Sequence, residues 1–237
     1  MDHFFYIGNN LIAEGVSITS VAEKFGTPCF VYSKAALEDN FGAYEKAFGD
    51  HPHLICFAVK ANSNLAVLNV LAKLGSGFDI VSGGELDRVL AAGGDPRKVT
   101  FSGLGKTANE ICKGLDADIH CFNVESEAEL KRINDIALSK SKIAPVSIRV
   151  NPDVNAETHP YISTGLKENK FGISMTQAMQ LYVDAKNMVG VNVTGIDFHI
   201  GSQLTNVQPV LNALERILTM NDQLLTKGIE INHINIG

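Results

Sequence analysis

The chain has 237 residues, 45% hydrophobic and 19% charged, with 20 basic against 26 acidic side chains for a net charge of −6. That balance builds a globular core and excludes a disordered or fibrous chain. Weak acidity without a basic run excludes a protein that coats nucleic acid or an anionic membrane.

No apolar stretch approaches the ~20 residues of a membrane span. The opening Met1-Asp2-His3-Phe4-Phe5-Tyr6 shows no basic stretch leading into an apolar one, so a cytoplasmic protein is expected. The four cysteines form no CxxC pair and read as reduced thiols. His51, His53 and Cys56 lie close together, but no second ligand pair follows and no metal site is expected.

In chain order, β-type runs fall at Leu54–Lys60, Phe78–Ser82, Val99–Gly103, Ile119–Val124, Pro145–Asn151, Val193–Ile200 and Ile231–Gly237. Helical patterns lie between them. Thr107 with Glu110, Ser126 with Glu129, and Ser174 with Gln177 have capping-box spacing. The Gly103-Leu-Gly-Lys-Thr107 run lacks the leading glycine of a Walker A loop and reads as a capped strand-to-helix turn. Repeated β-then-α argues for a parallel sheet covered by helices, which fits a doubly wound sheet or a (β/α)8 barrel.

Side-chain alternation favours the barrel. Cys56, Ala58 and Lys60 share one strand face and Ile55, Phe57 and Val59 the other. The split recurs where Ser147, Arg149 and Asn151 oppose Val146, Ile148 and Val150. Asp197 and His199 oppose Ile196, Phe198 and Ile200, and His233 and Asn235 oppose Ile234 and Ile236. Polar groups on one face, near the C-terminal ends of several strands, mark where such a barrel builds its active site. Residues 151–173 form a connection much longer than the ~2–6 residues usual for a βα loop, and long loops of this kind are commonly functional. The seventh strand ends at Gly237 with no eighth βα unit, so the expectation is an α/β barrel truncated after about seven strands, a piece of a longer protein.

Lys60 is open to two readings. It is either a lysine just past a strand end reaching solvent, or an inward, desolvated amine suited to attack an aldehyde. Taken without the surrounding motif, His199 reads as a hydrogen-bonded core histidine and Ser202 as a helix cap.

The motifs Phe57-Ala-Val-Lys-Ala-Asn62, Gly77-Phe-Asp-Ile-Val-Ser-Gly-Gly-Glu-Leu86 and His199-Ile-Gly-Ser-Gln203 resemble the pyridoxal-phosphate-dependent decarboxylases of alanine-racemase-like fold. The runs Arg149–Val154, Thr158–Gly165 and Lys170–Ile173 resemble the diaminopimelate decarboxylases among them. The resemblance implies a TIM-type barrel over residues 33–237, incomplete here. It also implies an N-terminal segment, residues 1–32, that joins a C-terminal β domain absent from this chain. It implies pyridoxal 5'-phosphate as cofactor and decarboxylation of meso-2,6-diaminopimelate to L-lysine, with the piece itself inactive. The implied assembly is a homodimer with the active site shared between subunits, acting on a small amino acid and on neither nucleic acid nor membrane.

By position, Lys60 is similar to the lysine that holds the cofactor and is the implied catalytic residue. His199 resembles the histidine stacked on the cofactor ring, and Ser202 the phosphate-binding serine. Gly237 resembles the first glycine of a phosphate loop, while Asp79, Glu85 and Arg149 match polar positions around the cofactor. Two alternatives stand beside this one: a related ornithine, arginine or carboxynorspermidine decarboxylase, and a non-catalytic pyridoxal-phosphate carrier built on a lone barrel.

Overall fold

The chain begins with a small sheet of its own. In a computed structural model, which describes residues 2–154, 171–202 and 204–237, β1 (Phe4–Ile7), β2 (Asn10–Ala13) and β3 (Val16–Ser17) pair antiparallel. A Gly8-Asn9 turn joins the first two, with Gly8 in the left-handed region at φ 57°. Phe4, Phe5, Tyr6 and Ile7 are all exposed on this sheet. Two helices follow, α1 (Ile18–Phe25) and α2 (Lys34–Phe48). The Glu14 carboxylate accepts from the Ser33 hydroxyl (2.7 Å) and the Ala35 N–H (3.0 Å), fastening the sheet to the start of α2.

The rest alternates strand and helix: β4 (Cys56–Ala58), α3 (Leu65–Lys73), β5 (Gly77–Ile80), α4 (Gly83–Ala91), β6 (Val99–Phe101), α5 (Ala108–Asp116), β7 (Cys121–Val124), α6 (Glu127–Ser139), β8 (Ala144–Asn151), β9 (Ile173–Ser174), α7 (Met175–Lys186), β10 (Val191–Asp197), α8 (Gln208–Thr226) and β11 (His233–Asn235). Every predicted barrel strand is present. They pair in parallel in the order β11-β10-β8-β7-β6-β5-β4, with β9 on the end of β8. This is an incomplete (β/α) barrel of TIM type, whose described strand path runs from β4 to β11.

Capping starts the helices where the hydroxyls predict. Thr107 and Glu110 form the full reciprocal box on α5. On α6 the Ser126 hydroxyl accepts from the Glu129 N–H (3.2 Å), but the Glu129 carboxylate turns elsewhere, as described below. On α7 the Ser174 hydroxyl accepts from the Gln177 N–H (3.4 Å) and donates to the Gln177 amide oxygen (2.8 Å).

The two strand faces separate as expected. Val146, Ile148 and Val150 are buried in the core that the helices cover, as are Phe78, Phe101 and Phe122. Each buried side chain of this size contributes about 1.5–3 kcal/mol. The other face is small and polar. Strand register sets Ala58, Asp79, Thr100 and Cys121 in one row and Asn123, Ser147, Gly195 and His233 in another.

Helix α6 crosses directly over the start of β10. The Gly190 N–H donates to the Asn134 side-chain oxygen (2.9 Å), and the Gly190 carbonyl accepts from Ala144 N–H (2.9 Å). A Cβ at Gly190 would meet the Asn134 backbone carbonyl and lie 2.9 Å from Leu138 Cγ. Gly190→Ala is therefore expected to destabilise by about 1–3 kcal/mol, read as a lower urea midpoint. An unchanged midpoint would show that the helix can shift without cost.

Candidate active site

The residues singled out from the sequence gather at the C-terminal ends of the parallel strands, with one correction. The apolar run predicts a strand as far as Lys60, with the amine either turned inward or just past the strand end. Instead β4 pairs with β5 only as far as Ala58 opposite Asp79, and Val59–Ala61 forms a 3-10 turn closed by Asn62 N–H to Val59 carbonyl (3.1 Å). Val59 is fully buried and Lys60 is exposed. The amine thus stands just beyond the strand end, without the desolvation an inward lysine would have.

Asp79 lies on β5 under that turn. Its carboxylate accepts from the Thr100 hydroxyl (3.1 Å) and the Ser102 hydroxyl (2.5 Å), and the Asn123 amide donates to Ser102 (3.0 Å). Burial holds the Asp79 carboxyl above its ordinary range, opposed by the two hydroxyls and by the nearby charges of Lys60 and Arg149.

Arg149, on β8, is the centre of a buried charge cluster. Its Nη1 is 2.7 Å from Glu125 Oε1 and its Nε is 3.8 Å from Asp197 Oδ2. Its guanidinium stands 5.3 Å from the Phe171 ring centroid. Glu125 also accepts from the Gly172 N–H (3.2 Å). Burial raises the Asp197 carboxyl to about 7. Arg149 opposes this, while Asp79 and Glu125 add to it.

The sign of the pH effect follows. A carboxyl raised by folding stabilises the fold fully below its unfolded pKa of about 4, and this contribution fades as pH rises toward 7. Asp197→Asn is expected to remove that decline. Urea midpoints of the variant and the parent should therefore diverge between pH 4 and 7, in the variant's favour at the upper end. Parallel curves would refute the buried titration.

His199 follows β10, half-buried, and its imidazole is lowered to about 4. Burial is the main cause, with the Arg149 and Lys60 charges adding. The ring is therefore neutral at pH 7 and close to both cations. Gly237 backs onto it. Gly237 has φ +94°, and a Cβ there would lie 2.5 Å from His199 Nδ1 and 3.0 Å from the Phe198 carbonyl oxygen, so only glycine fits. Ser202 is exposed in the bend after Gly201, whose φ is +143°.

Glu85 acts locally. Its carboxylate accepts from Val81 N–H (2.7 Å) while its own N–H donates to Ser82 (3.2 Å), which caps α4. The predicted loop over residues 151–173 lies largely outside the described residues, as does Gln203. His53 stacks on Phe48 with ring centroids 4.6 Å apart, and its Nδ1 lies 2.7 Å from the His51 carbonyl.

Sequence reasoning missed Glu125, Thr100, Ser102 and Asn123. A signal for two of them was present: continuing the β7 alternation from Cys121 puts Asn123 and Glu125 on the inward face. Lys106 was read only as part of a turn. It is instead buried, donating to Glu129 (2.7 Å) and to the carbonyls of Gly103 (2.9 Å) and Asn123 (2.7 Å). The other Glu129 oxygen accepts from Glu125 N–H (2.7 Å).

Known proteins share this fold. Diaminopimelate decarboxylase from Pseudomonas aeruginosa is 58% identical over 237 residues, and that from Haemophilus influenzae is 56% identical. In each case the match takes in 100% of this chain but 57% of the relative, so the chain spans little more than half the length of these relatives. The crystal structure of diaminopimelate decarboxylase from M. jannaschii in co-complex with L-lysine superposes with a TM-score of 0.92 at 39% identity, covering 98% of this chain and 56% of that one. The Helicobacter pylori enzyme complexed with L-lysine gives 0.88 at 42% identity, covering 92% and 56%. Residues 34–237 match the family described as pyridoxal-dependent decarboxylase, pyridoxal binding domain, and the chain belongs to that family.

Proposed function

We propose that the chain is the cofactor-binding barrel of an enzyme that decarboxylates meso-2,6-diaminopimelate to L-lysine and carbon dioxide. The observation that carries this reading is the convergence of Lys60, Asp79, Arg149 and His199 at one end of the barrel, coupled closely enough for each to be felt by its neighbours. The relatives' names and their L-lysine complexes support the substrate class.

The residues fit pyridoxal 5'-phosphate. An exposed amine stands where an aldehyde can reach it, a neutral imidazole offers a ring face, and a glycine without room for a Cβ lets backbone approach a phosphate. When bound, the cofactor supplies an electron sink for the bond that releases carbon dioxide. Lys60 would hold the cofactor through its exposed amine. His199 would offer the ring a neutral imidazole face, which places no cation there. Gly237 and Ser202 would hold the phosphate. Asp79 and Arg149 would supply polar groups beside the cofactor. We further propose that the small N-terminal sheet packs with a β domain and that two subunits share each active site, on cytoplasmic enzymes of this build.

Borohydride reduction of the cofactor-loaded full-length enzyme, followed by peptide mapping, tests the site. The adduct is expected on the peptide holding Lys60, and an adduct on Lys73, Lys106 or Lys170 would overturn the assignment. Carbon dioxide release from meso-diaminopimelate, measured beside ornithine and arginine, tests the substrate. Turnover of either competitor at a comparable kcat/KM would move the enzyme to the related branch, and no turnover of any would leave a carrier.

A further inference from the structure

A second cluster of ligating side chains lies at the opposite end of the barrel from the cofactor residues. Cys121 opens β7 and His233 opens β11, so both stand at the N-terminal ends of strands whose C-terminal ends hold the site above. His120 precedes Cys121 and turns toward the same point. The Cys121 Sγ lies 3.7 Å from His233 Nε2, the two imidazole centroids are 4.8 Å apart, and the nearest ligand atoms of all three residues lie within 4.8 Å of one another.

These spacings suit a soft or borderline cation. With metal–sulfur near 2.3 Å and metal–nitrogen near 2.0–2.1 Å, tetrahedral ligands sit about 3.5 Å apart, and the observed sulfur–nitrogen separation is within a few tenths of that. Two further features point the same way. A Cβ at Gly195, across the β10–β11 pair, would fall inside the His233 ring, so the glycine makes room for the imidazole to lie flat across the strand beside the thiol. The cluster is also reachable, because Cys121 is buried while His120 and His233 are partly exposed and form its mouth.

We propose that His120, Cys121 and His233 bind a divalent cation of the zinc class, which ties β7 to β11 across the barrel floor. Three protein ligands leave the fourth position to solvent water. On binding, the Cys121 thiol becomes a thiolate and releases one proton to solvent, while both imidazoles ligate as neutral rings. The Asn123 side-chain oxygen, 3.6 Å from Sγ, is the nearest polar neighbour and is placed to accept from the thiol until the metal displaces that proton.

The test uses chelator-treated, cofactor-loaded full-length enzyme titrated with Co2+ alone. One equivalent should produce the visible bands of tetrahedral cobalt, and Zn2+ should abolish them. Cys121→Ser, nearly isosteric and not among the residues proposed to hold the cofactor, should keep its turnover and its circular dichroism while losing the bands. His120→Gln, at the exposed mouth, should weaken Co2+ binding at least about tenfold. Zn2+ should raise the thermal midpoint of the parent but not of Cys121→Ser. Absence of the visible bands in the parent would overturn the proposal, as would equal bands in parent and Cys121→Ser, which would place the metal on the cofactor or elsewhere.

Discussion

Lys106→Met is expected to lower the unfolding free energy by about 3–5 kcal/mol, the usual cost of removing one partner from a buried ion pair. The Lys106 side chain is 1% exposed and that of Glu129 is 7% exposed. All three ammonium protons are matched: one to Glu129, one to the Gly103 carbonyl and one to the Asn123 carbonyl. Methionine fills the space but leaves a carboxylate and two carbonyls without that donor. Among the described residues the Glu129 carboxylate then keeps only the Glu125 N–H, too little for a charge taken out of water. The damage should also reach the active site, because Glu125 is next to the pair and holds Arg149. Adding Glu129→Gln in the same chain should recover a substantial part of the loss, since no bare charge is then buried. Urea denaturation of the parent, the single variants and the double variant measures this cycle. A single variant within 1 kcal/mol of the parent would show that the pair is not a structural hub.

Lys60→Ala is expected to cut decarboxylation by the full-length enzyme at least about 10³-fold, about 4 kcal/mol of barrier. The stability cost should stay within about 0.5 kcal/mol, because the side chain is exposed and lies past the end of β4. That contrast makes the experiment decisive, since lost activity with an unchanged thermal midpoint places Lys60 in the chemistry and not in the fold. Lys60→Arg should fail equally, because a guanidinium keeps the charge but is no nucleophile at neutral pH. Retention of a tenth or more of kcat in either variant would remove Lys60 from the mechanism.

What could be read from the chain and what could not divides along range of interaction. The strand from Pro145 announces itself by alternation, because both its faces have distinct solvents, and it runs Ala144–Asn151 as expected. The turn at Lys60 does not announce itself. The apolar run continues through Val59, and nothing in it marks that pairing with β5 stops at Ala58. Thr107 and Glu110 show their cap because the bonds join residues three apart. The Lys106–Glu129 pair spans 23 positions, and His233 meets Cys121 across 112. No local pattern encodes such contacts. The cofactor positions were read through family likeness, whereas Glu125 belongs to none of the motifs and emerges only when Arg149 is placed. The N-terminal sheet had a legible Gly8-Asn9 hairpin signal that went unread, because its strands are short and expose their apolar side chains.

The pairing of β9 with the end of β8 has an evolutionary consequence. Val150 stands beside Ile173 and Asn151 beside Ser174, so the chain leaves and returns at the same place. Glu125 clamps the returning end at Gly172 while it holds Arg149, and the Arg216 guanidinium grips the carbonyls of Pro152 and Asp153 on the departing end. Both stems are thus held by the barrel itself. Under that restraint, doubling the span between them costs only about 0.6 kcal/mol of closure entropy. Descendants of this scaffold can therefore trade, extend or recompose the stretch between the stems, and with it whatever that stretch touches, while the charge cluster beneath stays in register.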